Sequence, residues 1–164
     1  MNKANKEAGL KNTAFFVSIK TIMAGRKKEI LVATSGYFDP LHRGHLELFS
    51  LAKNLGTKLI VIVNNDEQAK LKKGFSFMSE EERLAVVSSL KMVYRAVLSI
   101  DKDKTICKTL ELLKPHIFAK GGDSTLNNVP EREICEKLGI RLALGLGDKI
   151  QSSSWLLKDL KKKK

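Results

Sequence analysis

With 164 residues, 43% of them hydrophobic and 29% charged, the chain has the make-up of one globular domain with a substantial core. No apolar run is long enough to span a bilayer. Its two cysteines, Cys107 and Cys135, lack a CxxC spacing or a neighbouring histidine, so they read as reduced thiols of an intracellular protein.

The net charge of +12 sits at the ends: residues 1–28 carry seven basic side chains and one acidic, lysines 161–164 add +4, and +2 remains for the 132 residues between. Such runs are solvated tails more often than nucleic-acid surfaces, so nucleic acid is disfavoured as a partner. Residues 1–28 read as a flexible basic extension, 29–160 as the folded domain and 161–164 as a lysine tail. The extension is lysine-rich and has no long apolar stretch, against a secretory signal. Its near-absence of acids leaves organellar targeting open beside a cytoplasmic location.

Past residue 29, short aliphatic runs alternate with helical patterns, which predicts βαβ units and a parallel sheet. Strands are expected at Glu29 to Thr34, Lys58 to Val63, Arg95 to Ile100, His116 to Lys120 and Ile140 to Gly145. They are nearly continuous apolar runs, as in strands covered on both faces. Helices fall between them: Leu46 to Leu55, one starting at Ser79-Glu80-Glu81-Glu82, Lys104 to Leu113, Pro130 to Gly139, and a last one from Ser153 to Leu160. The fold class is α/β, a Rossmann-like doubly wound sheet of about five parallel strands in three layers. Ligands of such sheets sit at the carboxyl ends of the strands.

Four polar clusters fall at those ends. After the first strand comes Gly36-Tyr37-Phe38-Asp39-Pro40-Leu41-His42-Arg43-Gly44-His45. A strand turning into a helix gathers backbone N–H groups, the positive helix end and two imidazoles, which suits a polyphosphate. Asp39 is expected to bond N–H groups of the turn and hold its shape. After the second strand come Asp66, Lys70, Lys72, Lys73 and Gly74, read as a lysine-bearing loop, with Arg83 in the following helix. After the fourth strand, Lys120-Gly121-Gly122-Asp123 bares backbone and offers a carboxylate to a sugar hydroxyl. Gln151-Ser152-Ser153-Ser154 precede the last helix, where hydroxyls and N–H groups hold phosphate well. His116 and Trp155 read as packing residues. Phe75 and Phe77 suit either an acceptor pocket or a dimer contact.

These motifs resemble the cytidylyltransferase-like nucleotidyltransferases over residues 30 to about 157. The resemblance implies a catalytic set of His42, His45, Lys72 and Lys73, in which the histidines and one of the two lysines neutralise the nucleotide phosphates. It makes Gly36, Tyr37, Phe38, Asp39, Gly44, Lys120 to Asp123 and Gln151 to Ser154 nucleotide-binding, and Asp66, Lys70 and Arg83 substrate-binding. No protein residue is assigned to a metal, and Mg²⁺ is expected with the NTP. The implied reaction moves an NMP group from NTP to a small phosphorylated sugar or alcohol and releases pyrophosphate, in a homodimer.

Lys73-Gly74 and Lys120-Gly121-Gly122-Asp123 are similar to the heptose-1-phosphate adenylyltransferases and favour ATP. The spacing of Lys72 is that of the cytidylyltransferases acting on glycerol-, choline- or ethanolamine-phosphate, so CTP stays open. Ser153 and Ser154 stand where that family carries threonines, and Lys149 where it carries an arginine. A non-catalytic nucleotide-binding protein on the same fold is the remaining alternative.

Overall fold

A computed structural model describes residues 28–148. The elements run β1 (Leu31–Gly36), α1 (Arg43–Asn54), β2 (Lys58–Val63), α2 (Asp66–Lys73), α3 (Glu80–Ser88), β3 (Arg95–Leu98), α4 (Cys107–Leu113), β4 (Ile117–Gly121), α5 (Arg132–Leu138) and β5 (Arg141–Leu146). The five strands pair in parallel in the order β3-β2-β1-β4-β5. The chain therefore winds outward from β1 to β3 and then crosses back to place β4 on the other side of β1. The switch point lies between the ends of β1 and β4.

The apolar runs are explained by burial on both faces. Val32, Leu59, Val61 and Ile117 point toward Phe49 of α1 and Val87 of α3. Ala33, Ile60, Ile62 and Phe118 point toward Leu110 of α4 and Cys135 of α5. Each large apolar side chain so buried contributes about 1.5–3 kcal/mol, so successive residues of one strand hold opposite layers. The expected three-layer α/β sheet is the observed one. Burial raises both thiols, Cys135 to about 11, which fits unreactive reduced cysteines.

One expected loop is a helix. Residues 66–73 form α2 because Asn65 caps it: its Oδ1 accepts from the Gln68 N–H at 2.9 Å, while Gln68 Oε1 accepts from the Asn65 N–H at 3.2 Å. Gly74 closes the helix in the left-handed region at φ +82°, its N–H bonded to Lys70 O at 2.8 Å. His116 also differs from expectation. It is exposed, and its Nδ1 accepts the Leu31 N–H at 3.0 Å, satisfying the backbone at the start of β1. The N-terminal extension, Gln151 to Ser154, the last helix with Trp155 and the lysine tail lie outside the described residues.

Candidate active site

At the switch point a pocket of about 390 Å³ opens over the ends of β1 and β4. Its wall includes Gly36, Tyr37 and Phe38 around the end of β1, His42, Gly44 and His45 at the start of α1, Lys72 and Lys73 from α2, and Lys120 to Asp123 around the end of β4. Three of the four sequence clusters thus meet around one space, and the fourth lies outside the described residues.

His42 is the N-cap of α1, with extended backbone. That geometry brings the imidazoles of His42 and His45 into a stack with centroids 3.7 Å apart, and Phe38 meets the His45 ring edge-on at 4.9 Å. The His42 N–H donates to His45 Nδ1 at 3.3 Å. An Nδ1 that accepts leaves the proton of neutral His45 on Nε2, as a donor.

Burial, then the neighbouring His42 and Lys73, push His45 down to about 3; burial and Lys73 lower His42 as well. In the free protein at neutral pH both rings are therefore neutral. His42 Nδ1 is buried and makes no hydrogen bond among the described residues. The first turn of α1 carries no acidic side chain, so nothing on it offsets the positive helix end.

Lys73 Nζ donates to the Asp39 carbonyl at 2.9 Å and lies 3.8 Å from the Asp39 carboxylate, beside the Tyr37 ring. Burial lowers its pKa against the opposing pull of Asp39. Lys72 is exposed at the same wall. Asp39 is fully buried, and it reaches beyond its own turn to accept the N–H groups of Phe77 and Met78 at 2.9 and 2.8 Å. It thereby ties the loop after α2 to the histidine segment.

On the far wall, Gly121 faces a bulge between β4 and β5. A Cβ there would sit 2.9 Å from Leu146 O, so only glycine fits. Lys120 Nζ lies 3.6 Å from Glu131 Oε2.

Asp66, Lys70 and Arg83 are not in the pocket wall. Arg83 is fully buried and donates to Tyr37 O (2.8 Å), Asn64 O (2.6 Å), Met78 O (3.2 Å) and Asp66 Oδ1 (2.6 Å). It is a strut joining the ends of β1 and β2 to the loop before α3. Burial pushes the Asp66 carboxyl up, but hydrogen bonds from Arg83 and Ser76 hold it below the usual range. Lys70 is exposed on α2.

The sequence reading missed Ser35, Leu48, Ser124, Leu146 and Asp148, all in the wall. Asp148, just after β5, followed the same strand-end rule that found the other clusters. Among the described residues no group of three or more His, Cys, Asp or Glu could hold a metal by itself. Among the described residues, Asp123 and Asp148 are the carboxylates of the pocket wall.

A 3-2-1-4-5 parallel sheet with imidazoles and lysines gathered at its switch point defines a Rossmann-like α/β protein built to hold an anion. The family described as cytidylyltransferase-like matches residues 33–145, and the chain belongs to it.

Over 144 residues it is 35% identical to the D-beta-D-heptose 1-phosphate adenylyltransferase of Bordetella bronchiseptica, covering 86% of each chain. It is 35% identical over 115 residues to the FAD synthase of Thermoplasma volcanium, covering 70% of this chain and 80% of that one. The crystal structure of the lipopolysaccharide core biosynthesis protein from Thermoplasma volcanium superposes with a TM-score of 0.63 at 33% identity, over 73% of this chain and 98% of that one. The chain is also 33% identical to the bifunctional protein HldE of Pelobacter propionicus, where it matches 86% of itself but spans only 29% of that protein's length. Among the described residues no helix is long and apolar enough to cross a membrane.

Proposed function

We propose that the protein transfers AMP from ATP to a small sugar phosphate and releases pyrophosphate. The reading rests on the convergence of His42, His45, Lys72, Lys73 and Lys120 on one pocket. The likeness to a heptose 1-phosphate adenylyltransferase along most of both chains favours ATP and a sugar phosphate over CTP and a polyol phosphate. The FAD synthase relative keeps other phosphorylated acceptors in the test.

An acceptor phosphate oxygen attacks the α-phosphorus in line; one P–O bond forms as the bond to the leaving pyrophosphate breaks. No covalent enzyme intermediate is required. Catalysis is positioning plus stabilisation of charge on the phosphoryl oxygens. Nε2–H of His45 donates to that charge from the helix start, alongside the positive end of α1. Lys72 and Lys73 approach from α2 and Lys120 from β4, so cations flank the pocket on two sides.

Gln151 to Ser154 are assigned to the leaving pyrophosphate on the sequence pattern alone. Mg²⁺ entering with the nucleotide would be held by its phosphates with Asp123 and Asp148, and would supply further neutralisation of charge. A homodimer belongs to the same reading.

Thermal-shift measurements with ATP, CTP, GTP and UTP plus Mg²⁺ select the nucleotide. Pyrophosphate release with a panel of sugar 1-phosphates, polyol phosphates and FMN then selects the acceptor. ATP stabilisation with sugar-phosphate-dependent release is expected. Stabilisation by CTP alone would overturn the choice of base, and nucleotide binding without release across the panel would point to a non-catalytic protein.

A further inference from the structure

Two lysines of the pocket wall stand against carboxylates that the fold buries almost completely, Lys73 against Asp39 and Lys120 against Glu131. The two carboxylates differ in what else they do. Asp39 accepts two loop amides, one on each oxygen. Glu131 has 2% exposure, and its Oε2 makes no hydrogen bond among the described residues. It stands at the N-cap of α5, yet its side chain makes no capping hydrogen bond. Burying a carboxylate is costly unless a partner compensates, and capping does not supply one. Its cation is Lys120, at 3.6 Å.

We propose that Glu131 is a positioning residue that holds Lys120 in the pocket wall as the binding cation for a phosphate group, on the nucleotide or on its acceptor. The inference rests on the nucleotidyltransferase reading of the pocket.

The geometry of Lys120 fits that task. Its ammonium lies 5.3 Å from the Phe118 ring centroid, and its side chain is 23% exposed at the pocket it lines. The separation from Glu131 is that of an ion pair too long for a hydrogen bond, so the ammonium N–H donors stay available to a ligand. The carboxylate keeps the flexible lysine at the pocket edge without consuming its donors. Tyr37, on the same wall, is pushed upward by burial and then by the charge of Glu131, so it stays a neutral phenol beside the bound anion.

The test compares wild type, Glu131→Gln, Lys120→Met and the double variant. Calorimetry follows Mg–ATP binding, and then inorganic phosphate binding to protein saturated with an α,β-methylene ATP analogue. If Glu131 acts through Lys120, each single variant and the double variant weaken the same probe by about tenfold or more, to the same extent. Weakened Mg–ATP binding assigns the phosphate to the nucleotide, and weakened phosphate binding assigns it to the acceptor. Wild-type binding of both probes by Glu131→Gln overturns the inference, as do losses that multiply in the double variant. Wild-type protein that binds neither probe defeats the nucleotidyltransferase reading itself. If Glu131→Gln fails to fold, Lys120→Met carries the test, because methionine keeps the stem over Phe118 and removes only the charge; unchanged binding there also overturns it.

Discussion

The imidazoles of His42 and His45 stack 3.7 Å apart, and the backbone N–H of His42 locks the pair by donating to His45 Nδ1. The backbone of His42 thus sets the tautomer of the His45 ring. His42→Ala keeps that backbone donor, while His45→Ala removes the acceptor and the edge contact with Phe38. Both variants are expected to fold and to lose about 10²-fold or more in kcat. Near-normal turnover in both, measured by pyrophosphate release, would remove the histidines from the mechanism.

The lowered pKa of His45 has a consequence for acid stability. Its folded value is about 3 against 6.5 unfolded, so in that interval the unfolded chain binds the extra proton. This contribution is complete above the unfolded value and is lost progressively as pH falls from about 6.5 toward 3. Melting temperatures of the free protein should drop across pH 7 to 4, and His45→Gln should flatten part of that slope. An identical slope in the variant would show that His45 does not carry it. Bound polyphosphate supplies opposite charge, so nucleotide binding near pH 6 should be accompanied by proton uptake, visible as buffer-dependent binding enthalpy.

Much of this was legible in the sequence, for identifiable reasons. Burial on both faces makes β2, Lys58–Val63, a continuous apolar run, and its bounds agree with the expected ones. The histidine segment was readable because strand, turn and helix start are each marked locally. The helix α2 was not, since Ala69 and Leu71 are its only apolar residues and leave no stripe to see. Its Asn65-x-x-Gln68 cap and closing Gly74 were present but outweighed by lysines that read as a loop. Arg83 and Glu131 were opaque for a different reason. Whether a charged side chain faces solvent or is buried depends on tertiary contacts 46 residues away in the first case (Arg83 to Tyr37 O) and 11 in the second (Lys120 to Glu131).

Arg83 makes four hydrogen bonds from a fully buried position, three to carbonyls and one to Asp66. Removing it leaves those acceptors buried, so Arg83→Met is expected to lower stability by about 3–5 kcal/mol in denaturant unfolding. Arg83→Lys should recover little, because an ammonium cannot present the same planar fork. A loss below about 1 kcal/mol in Arg83→Met would show that the strut is dispensable.

Lys72 and Lys73 are sequence neighbours with different surroundings, so their alanine variants should separate. Lys73 is anchored to the Asp39 carbonyl and stands close to the Asp39 carboxylate, which is itself wholly buried. Lys73→Ala withdraws that charge from Asp39 and loosens the tie between α2 and the histidine segment. It should cost about 1–3 kcal/mol of stability and lower kcat. Lys72 is exposed at the wall, so Lys72→Ala should change stability by no more than about 0.5 kcal/mol. Its loss should appear as weaker nucleotide binding at low salt that converges on the wild type as ionic strength rises, because an exposed charge is screened within a Debye length of about 8–10 Å. Unfolding curves, steady-state kinetics and binding at two salt concentrations distinguish the two roles. Equal effects from both variants would mean that burial does not decide which lysine works on the phosphate.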